Sequence, residues 1–599
     1  MNKSLNSTAL SPSTVTVARL ADLRRQFRQH GIAACLIDDT DAHLSEYPPE
    51  RFKGRSYVSG FTGSAGTLLV TENAAALWTD SRYFLQAEAQ LADTGILLMK
   101  QRMEGVPSPE AWLGGQLPFG AVLGVNARCL SVSRSRQLSD ALKVWNISLR
   151  DVGDLLETMW GNRPLMPSAP VMEHELRYAG LSRTEKIARI RAELAKCDAD
   201  AAIITALDDV AWTFNLRGAD VPCNPVFIAF AVITDDMAQL YIDAAKLPLP
   251  LQTTLTQEHI VLRPYEHIYA DVAKLTGRVM LAPDTANQTL QASLQTPTII
   301  EQLSPPTILK AQKTDTELQH IRRTMLYDGA AMVNFLFWLD QTVGNVPVTD
   351  CEIAEKLNWF RSLQPGCCGV SFETIVGHDA AGAIVHRIAR PDNALPVMRQ
   401  GLLLFDSGGQ YLSGTTDITR TVALSSPTPQ QKRDFTLVLK GLIGLSMAVF
   451  PANTPGCNLD ILARRPMWEH GINYGHGTGH GIGYFLNVHE GPMSIRQEYN
   501  KITLAPGMVL SNEPGIYREG QYGIRIENMM CCIPKTETEF GRFLAFETLT
   551  LCPIDRSLID FSMLSSAETE WLDSYHARCR AELSPLLTSE VQAFLERLI

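Results

Sequence analysis

Through the first 310 residues, short apolar runs alternate with longer amphipathic stretches, the pattern of strands and helices taking turns. Val17 to Gln29 has helical spacing, and the apolar run Ile32 to Ile37 behind it reads as a strand. Leu69 to Asp80 reads strand, turn, strand, with Thr71-Glu72-Asn73 at the turn. The pattern returns 163 positions on, where Val232-Ile233-Thr234-Asp235-Asp236 leads to Leu240-Tyr241-Ile242-Asp243, as Val70-Thr71 leads to Leu77-Trp78-Thr79-Asp80. Ahead of it, Ala201-Ala202-Ile203-Ile204 mirrors Ala33-Ala34-Cys35-Leu36. Two α/β domains of similar plan are therefore expected, 1–165 and 166–310. Asn162 to Pro170 would link them, and Ser304-Pro305-Pro306 would end the second.

A third domain, 311–599, opens on a helix signal. Thr314-Asp315-Thr316-Glu317 spells a capping box, and Leu318, Ile321, Met325, Leu326 and Ala330 follow at helical spacing to about Leu339. From Gly366 to Leu551 strand-like runs alternate with turns, broken by a helical stretch from Gln430 to Val449. Ala567 to Ile599 again has helical character. The fold class is therefore α+β, two α/β domains preceding a third with most of the candidate chemistry.

Composition narrows the function classes. At 599 residues the chain is too long for one core. A hydrophobic content of 45% with 20% charged residues is that of a soluble globular protein, and no apolar run is long enough to span a bilayer. The polar, Ser- and Thr-bearing start from Met1 to Val17 lacks a signal-peptide core and reads as a flexible leader. A net charge of −11 disfavours nucleic acid and anionic membrane as partners. Twelve scattered cysteines without a C-x-x-C fit reduced thiols in a cytoplasm better than a zinc ribbon or disulfide scaffold.

Two stretches are unusually rich in glycine. Tyr57 to Gly66 has the glycines of a phosphate loop but no lysine in the Walker position, so a structural turn is expected there. Gly475-His476-Gly477-Thr478-Gly479-His480-Gly481-Ile482-Gly483 sets two imidazoles among glycines, which let backbone pass close to a ligand. A zincin helix is excluded, because glycines 477, 479 and 481 oppose helix formation. His489-Glu490 likewise has no second histidine four residues on.

Acidic residues complete the picture. Asp406 ends the apolar strand Leu402 to Phe405, and Asp417 starts the next strand-like run after a turn; pairing of the two runs would bring the carboxylates together. Glu513 stands before a turn in Ser511-Asn512-Glu513-Pro514-Gly515. Glu527 alternates with Arg525 on one face of Tyr522 to Asn528, so a Glu527–Arg525 salt bridge is the plain structural alternative. Four carboxylates in one pocket would repel by roughly 4 kcal/mol per close pair at an effective dielectric of 20, and two divalent cations would balance them. Oxygen ligands with a single imidazole suit Mn²⁺, with Zn²⁺ or Co²⁺ as alternatives.

Asp406, Asp417, His480, Glu513 and Glu527, spaced as Asp-x10-Asp, GHGTGHG, EPG and IEN, resemble the five-ligand motif of the pita-bread metallopeptidases. YVSGFTGSAG, LWTDSRYFLQA, TALDDVAWTFNLRG, NPVF, LNVHEGP and GIRIEN extend the resemblance, across nearly the whole chain, to the cytosolic three-domain aminopeptidase P group. The resemblance implies a C-terminal pita-bread catalytic domain, a homodimer, and release of the first residue from peptides with proline second. It implies that Asp406 chelates one metal, His480 and Glu513 the other, while Asp417 and Glu527 bridge both, and that a metal-bound hydroxide attacks. It casts Glu513 as proton shuttle, His386 and His489 as catalytic histidines, and His476, Tyr517, Arg525 and Phe372 as the proline side of the pocket. A prolidase-type dipeptidase and a metal-free binding protein on the same fold are the alternatives.

Overall fold

The computed structural model describes residues 11–295 and 298–599. The first ten residues of the expected leader lie outside the described residues, and most of its remainder is helical. Ser11 caps the helix Pro12–His30 by accepting the Thr14 N–H at 3.2 Å, with proline preset in its first turn. That helix buries Leu20, Leu23 and Phe27 at helical spacing and stops at Gly31, where φ is +60°.

Two six-stranded sheets follow with one topology. The first runs Ile96–Lys100, Ala75–Thr79, Thr67–Thr71, Ala34–Ile37, Val122–Val125, Ser148–Asp151. The second runs Ile260–Arg263, Ala238–Tyr241, Phe230–Thr234, Ala201–Ile204, Arg278–Leu281, Thr298–Glu301. In both, the second and third junctions are antiparallel and the other three parallel. Ala34 faces Thr71 in one and Ala201 faces Thr234 in the other. Ala34, not Ala33, is thus the counterpart of Ala201, a one-residue slip that pattern matching missed and that would swap the faces of the strand.

The chain divides into two compact units. One holds residues up to Pro170, Ile190–Val210 and Ile228–Ser304, and with them both sheets; the other holds Val171–Arg189, Ala211–Phe227 and Pro305–Ile599. In the second unit the capping box forms as expected, with Thr314 and Glu317 satisfying each other's backbone N–H groups. The helix it starts runs Asp315–Thr342 and packs Met332, Phe335 and Leu336 against Leu403, Phe405 and Ile418 of adjacent strands. A second long helix, Pro429–Ser446, sets Phe435, Val438 and Leu442 in a cluster with Ile482, Val509, Ile524 and Met529. Helices thus bury the apolar faces of the very strands that carry the acidic and histidine motifs.

Three local readings change. Pro305 and Pro306 begin a helix, Pro305–Ala311, because proline fits a first turn whose N–H groups need no helical partner. Asp460–Trp468 is a helix with no side-chain cap and with Pro466 inside it, which hid it from pattern reading. The final helical stretch is two helices, Ser566–Leu583 and Ser589–Leu598. All twelve cysteines are free thiols, and among the described residues no helix is long and apolar enough to cross a membrane.

Candidate metal centre

The strands Leu402–Ser407 and Ile418–Ala423 pair antiparallel with Asp406 opposite Thr419, which puts Asp417 two residues from Asp406's partner. The expected approach of the two aspartates is therefore formed, and both are buried. Asp417, Thr419 and Thr421 alternate onto one face. The Thr419 hydroxyl donates to Glu527 Oε2 at 2.8 Å and accepts from Arg525 Nε at 3.1 Å. Thr421 Oγ1 donates to the Arg525 carbonyl at 3.0 Å and accepts the Arg525 N–H at 3.1 Å. The Glu527 N–H donates to the Thr419 carbonyl, and buried Arg420 donates to the Glu527 carbonyl at 2.6 Å. Sequence reading passed over these threonines, although the period-2 run after Asp417 was the signal for them.

The Arg525–Glu527 salt bridge considered as the structural alternative is not what forms. The strand Tyr522–Arg525 ends before Glu527, so the strict alternation that aligned them breaks. Arg525 instead binds Asp406 Oδ2 at 2.6 Å and Tyr517 OH at 2.7 Å. Tyr517 OH lies 2.8 Å from His476 Nε2, and His476 Nδ1 lies 2.7 Å from the Gly477 carbonyl. With the imidazole neutral, Nδ1–H donates to the carbonyl, Tyr517 donates to Nε2, and Arg525 donates to Tyr517. His476, Tyr517 and Arg525 thus form one chain ending on Asp406.

His480 sits in the short strand Gly479–Gly481, not a helix, at a register shift against Glu490–Ile495. Its glycine neighbours are required by close packing. A Cβ on Gly479 would lie 2.1 Å from the Ser511 carbonyl, and one on Gly481 equally near the Glu490 carbonyl. His480 Nδ1 is 2.9 Å from the Gly481 carbonyl, so Nδ1–H donates there and Nε2 is the nitrogen aimed at the carboxylates, a ligand atom once a cation displaces its proton. Nε2 faces Glu513 Oε1 at 3.4 Å and Asp417 Oδ2 at 3.5 Å. Ser511, also unforeseen, accepts the His480 N–H at 3.0 Å and lies 3.3 Å from Glu513 Oε1. The His489 ring meets the His480 ring edge-on, centroids 4.3 Å apart.

The other two candidates are reached through their neighbours. Val385, beside His386, offers its carbonyl to Arg525 Nη2 at 3.5 Å. The turn Asp379–Ala383 before it presses so closely on Gly523 that a Cβ there would lie 1.8 Å from the Gly382 carbonyl. Ser371, beside Phe372, donates its hydroxyl to the Thr416 carbonyl at 2.8 Å, next to Asp417. His386 and Phe372 themselves are half-buried.

The electrostatics are those of several carboxylates crowded around one imidazole and one guanidinium. Burial pushes the Asp406 carboxyl up, and Arg525 only partly offsets this. Burial and the neighbouring carboxylates push Glu527 far up. Burial raises Glu513 to about 7 against the pull of His480. Burial alone would lower the His480 imidazole, but Asp417 and Glu513 hold it up at about 9. Ligand atoms of Asp417, His480 and Glu527 lie within 4.8 Å of one another, and Asp406 Oδ1 is buried without a hydrogen-bond donor. Divalent cations fit this arrangement, since they supply the missing positive charge and take the lone pair that no donor meets.

Known proteins carry the same parts. The description "Creatinase/Prolidase N-terminal domain" matches residues 19–159 and again 162–317. "Metallopeptidase family M24" matches 319–533, and its C-terminal region matches 542–598. Aminopeptidase P2 of Arabidopsis thaliana is 40% identical over 95% of this chain and 86% of its own length. A probable Xaa-Pro aminopeptidase P of Aspergillus flavus is 41% identical over 96% of this chain and 90% of its own. The solved X-prolyl aminopeptidase of Caenorhabditis elegans, described as a cytosolic enzyme with a di-nuclear active site, superposes with a TM-score of 0.93 at 33% identity, covering 97% of this chain and 99% of that one.

Proposed function

Because this chain belongs to metallopeptidase family M24, with creatinase/prolidase N-terminal domains ahead of the peptidase region, we propose that it is an Xaa-Pro aminopeptidase, releasing the first residue of peptides whose second residue is proline. The observation that carries this reading is the convergence of Asp417, Glu513 and Glu527 on His480, with Asp406 buried beside Asp417 and its Oδ1 without a donor. Asp406 would hold one divalent ion and His480 with Glu513 the other, with Asp417 and Glu527 shared. Ions bound there would supply Lewis-acid polarisation of the scissile carbonyl and acidify a water.

The protein's own residues do the rest. Glu513, 3.4 Å from His480 Nε2 at the edge of the cluster, accepts the proton of the attacking water and delivers it to the proline nitrogen as the bond breaks. His489, packed on His480, binds the substrate carbonyl, and His386, which follows the Val385 contact to Arg525, is the second catalytic histidine, beside the metal site. The chain His476–Tyr517–Arg525, with Phe372 as an apolar wall, shapes the proline side. Manganese is the metal we infer, since oxygen donors with one imidazole favour it over thiolate-seeking zinc. A division into parts near residues 165 and 310, a homodimeric state and a cytoplasmic location complete the proposal; the worm relative is described as cytosolic.

The test is a peptide panel assayed with Mn²⁺, with and without proline at position two, using both Xaa-Pro and Xaa-Pro-Yaa substrates. Release confined to proline-second peptides, including the longer ones, and abolished by a chelator supports the reading. Cleavage of dipeptides alone would make the protein a prolidase, and full turnover by Asp406→Ala would overturn the metal assignment.

A further inference from the structure

The loop Gly483 to Asn487 joins the His480 strand to His489, and every carbonyl along its tip is held. Buried Arg217 donates from Nη2 to the Tyr484 carbonyl at 3.1 Å and from Nε to the Phe485 carbonyl. Gln410 Nε2 donates to the Leu486 carbonyl at 2.7 Å. The Gly483 N–H closes the loop onto the Asn487 carbonyl at 3.0 Å. Four consecutive carbonyls therefore have named donors, two of them from one guanidinium whose planar fork can meet adjacent acceptors.

What the clamp holds is a strained backbone. Phe485 has φ of +48°, a left-handed conformation that costs a non-glycine residue on the order of 1–2 kcal/mol. Such strain persists only where surroundings over-determine it, and it concentrates at functional sites. The Phe485 ring is buried, 5.5 Å from the His174 ring and under the Arg217 guanidinium at 5.6 Å. Gln410 adds a link to the metal ligands, since it lies in the hairpin between Asp406 and Asp417 and accepts from Thr415 Oγ1 at 2.7 Å. One amide thus ties the hairpin carrying two aspartates to the loop that delivers His489.

We propose that Arg217 and Gln410 are positioning residues for the peptidase reaction, holding the strained Tyr484–Phe485 backbone so that His489 stays against His480. This rests on the reading of His489 as a substrate-binding residue. Arg217→Lys keeps the charge but loses the fork. It is expected to lower kcat/KM by about ten- to hundred-fold, the loss a displacement of about 1 Å causes, with bound metal unchanged. Gln410→Met, which strands no buried charge, is expected to act in the same direction, and so keeps the test open if Arg217 variants fold poorly.

The deciding experiment is a double-mutant cycle on Xaa-Pro-Yaa hydrolysis, followed to long times, pairing Gln410→Met or Arg217→Lys with His489→Ala. If the clamp acts through His489, either substitution changes the His489→Ala background less than two-fold. The same fold-loss in both backgrounds, or wild-type turnover by both clamp variants, overturns the proposal. Wild-type turnover by His489→Ala instead overturns the reading of His489, which separates the two failures.

Discussion

The two glycine-rich stretches, Tyr57 to Gly66 and Gly475 to Gly483, look alike on paper and do opposite things. In the first, the chain bends around a cation of its own. Buried Arg55 donates to the Gly63 and Gly66 carbonyls and to Asp39 Oδ2 at 2.8 Å, with Phe61 beneath the guanidinium; only its Nε lacks an acceptor. Donors meet acceptors there, and nothing further is called for. In the second, glycines bring backbone close to Ser511 and Glu490 while His480 Nε2 confronts Asp417 and Glu513. Four carboxylates there outnumber one imidazole and one guanidinium, and divalent cations would balance the remaining charge. Glycine content does not mark a site; crowded like charges do.

Breaking the second arrangement should give the largest effect. Asp406→Ala removes a carboxylate whose Oδ1 has no protein donor, and peptide release should fall at least about 10³-fold with loss of bound metal, read by turnover and metal analysis. Glu513→Gln keeps the shape but cannot take a proton. A drop in kcat of about 10²–10⁴-fold is expected, larger than any change in KM. If kcat survives, Glu513 is a ligand only.

Arg55→Met probes the first stretch. It leaves Asp39 buried without its partner and should cost about 3–5 kcal/mol of unfolding free energy by denaturant titration. Metal content and turnover per folded molecule should not change, which would sharpen the contrast; loss of metal would erase it.

The smallest effect is on pH. Glu513 titrates near 7 in the folded protein, above its value in an unfolded chain, so its protonated form contributes stability that is lost as pH rises through about 7. The chelated protein should therefore lose about 2–3 kcal/mol between pH 5 and 8, whereas the metal-loaded protein should not. The gain in Tm on adding Mn²⁺ should accordingly grow with pH across that window. A gain that shrinks would mean the cluster is not ionised against itself.

Much of this was legible beforehand. The capping box at Thr314 and the strand-turn-strand repeat could be read from the chain, because each depends on local spacing that folding does not alter; the five metal-type residues were gathered by their resemblance to a family motif. The prolines at 305 and 306 stand where the compact unit changes, between Ser304 and Pro305, and they also start a helix, since proline marks helix starts as well as breaks. The Arg525–Glu527 salt bridge, the plain structural alternative, gives way to Arg525–Asp406, because alternation holds only while the strand continues, and the strand stops at Arg525.

The sequence by itself determined which atoms are available: four carboxylates, the imidazoles and the glycines that let them approach. Only the tertiary structure decided who meets whom. Thr419 stands between Arg525 and Glu527, and Arg217 reaches the Phe485 loop from 268 residues away. Such partnerships depend on register and on the closing of long loops, and a buried polar atom accepts whatever donor the packing brings, so no local pattern encodes them.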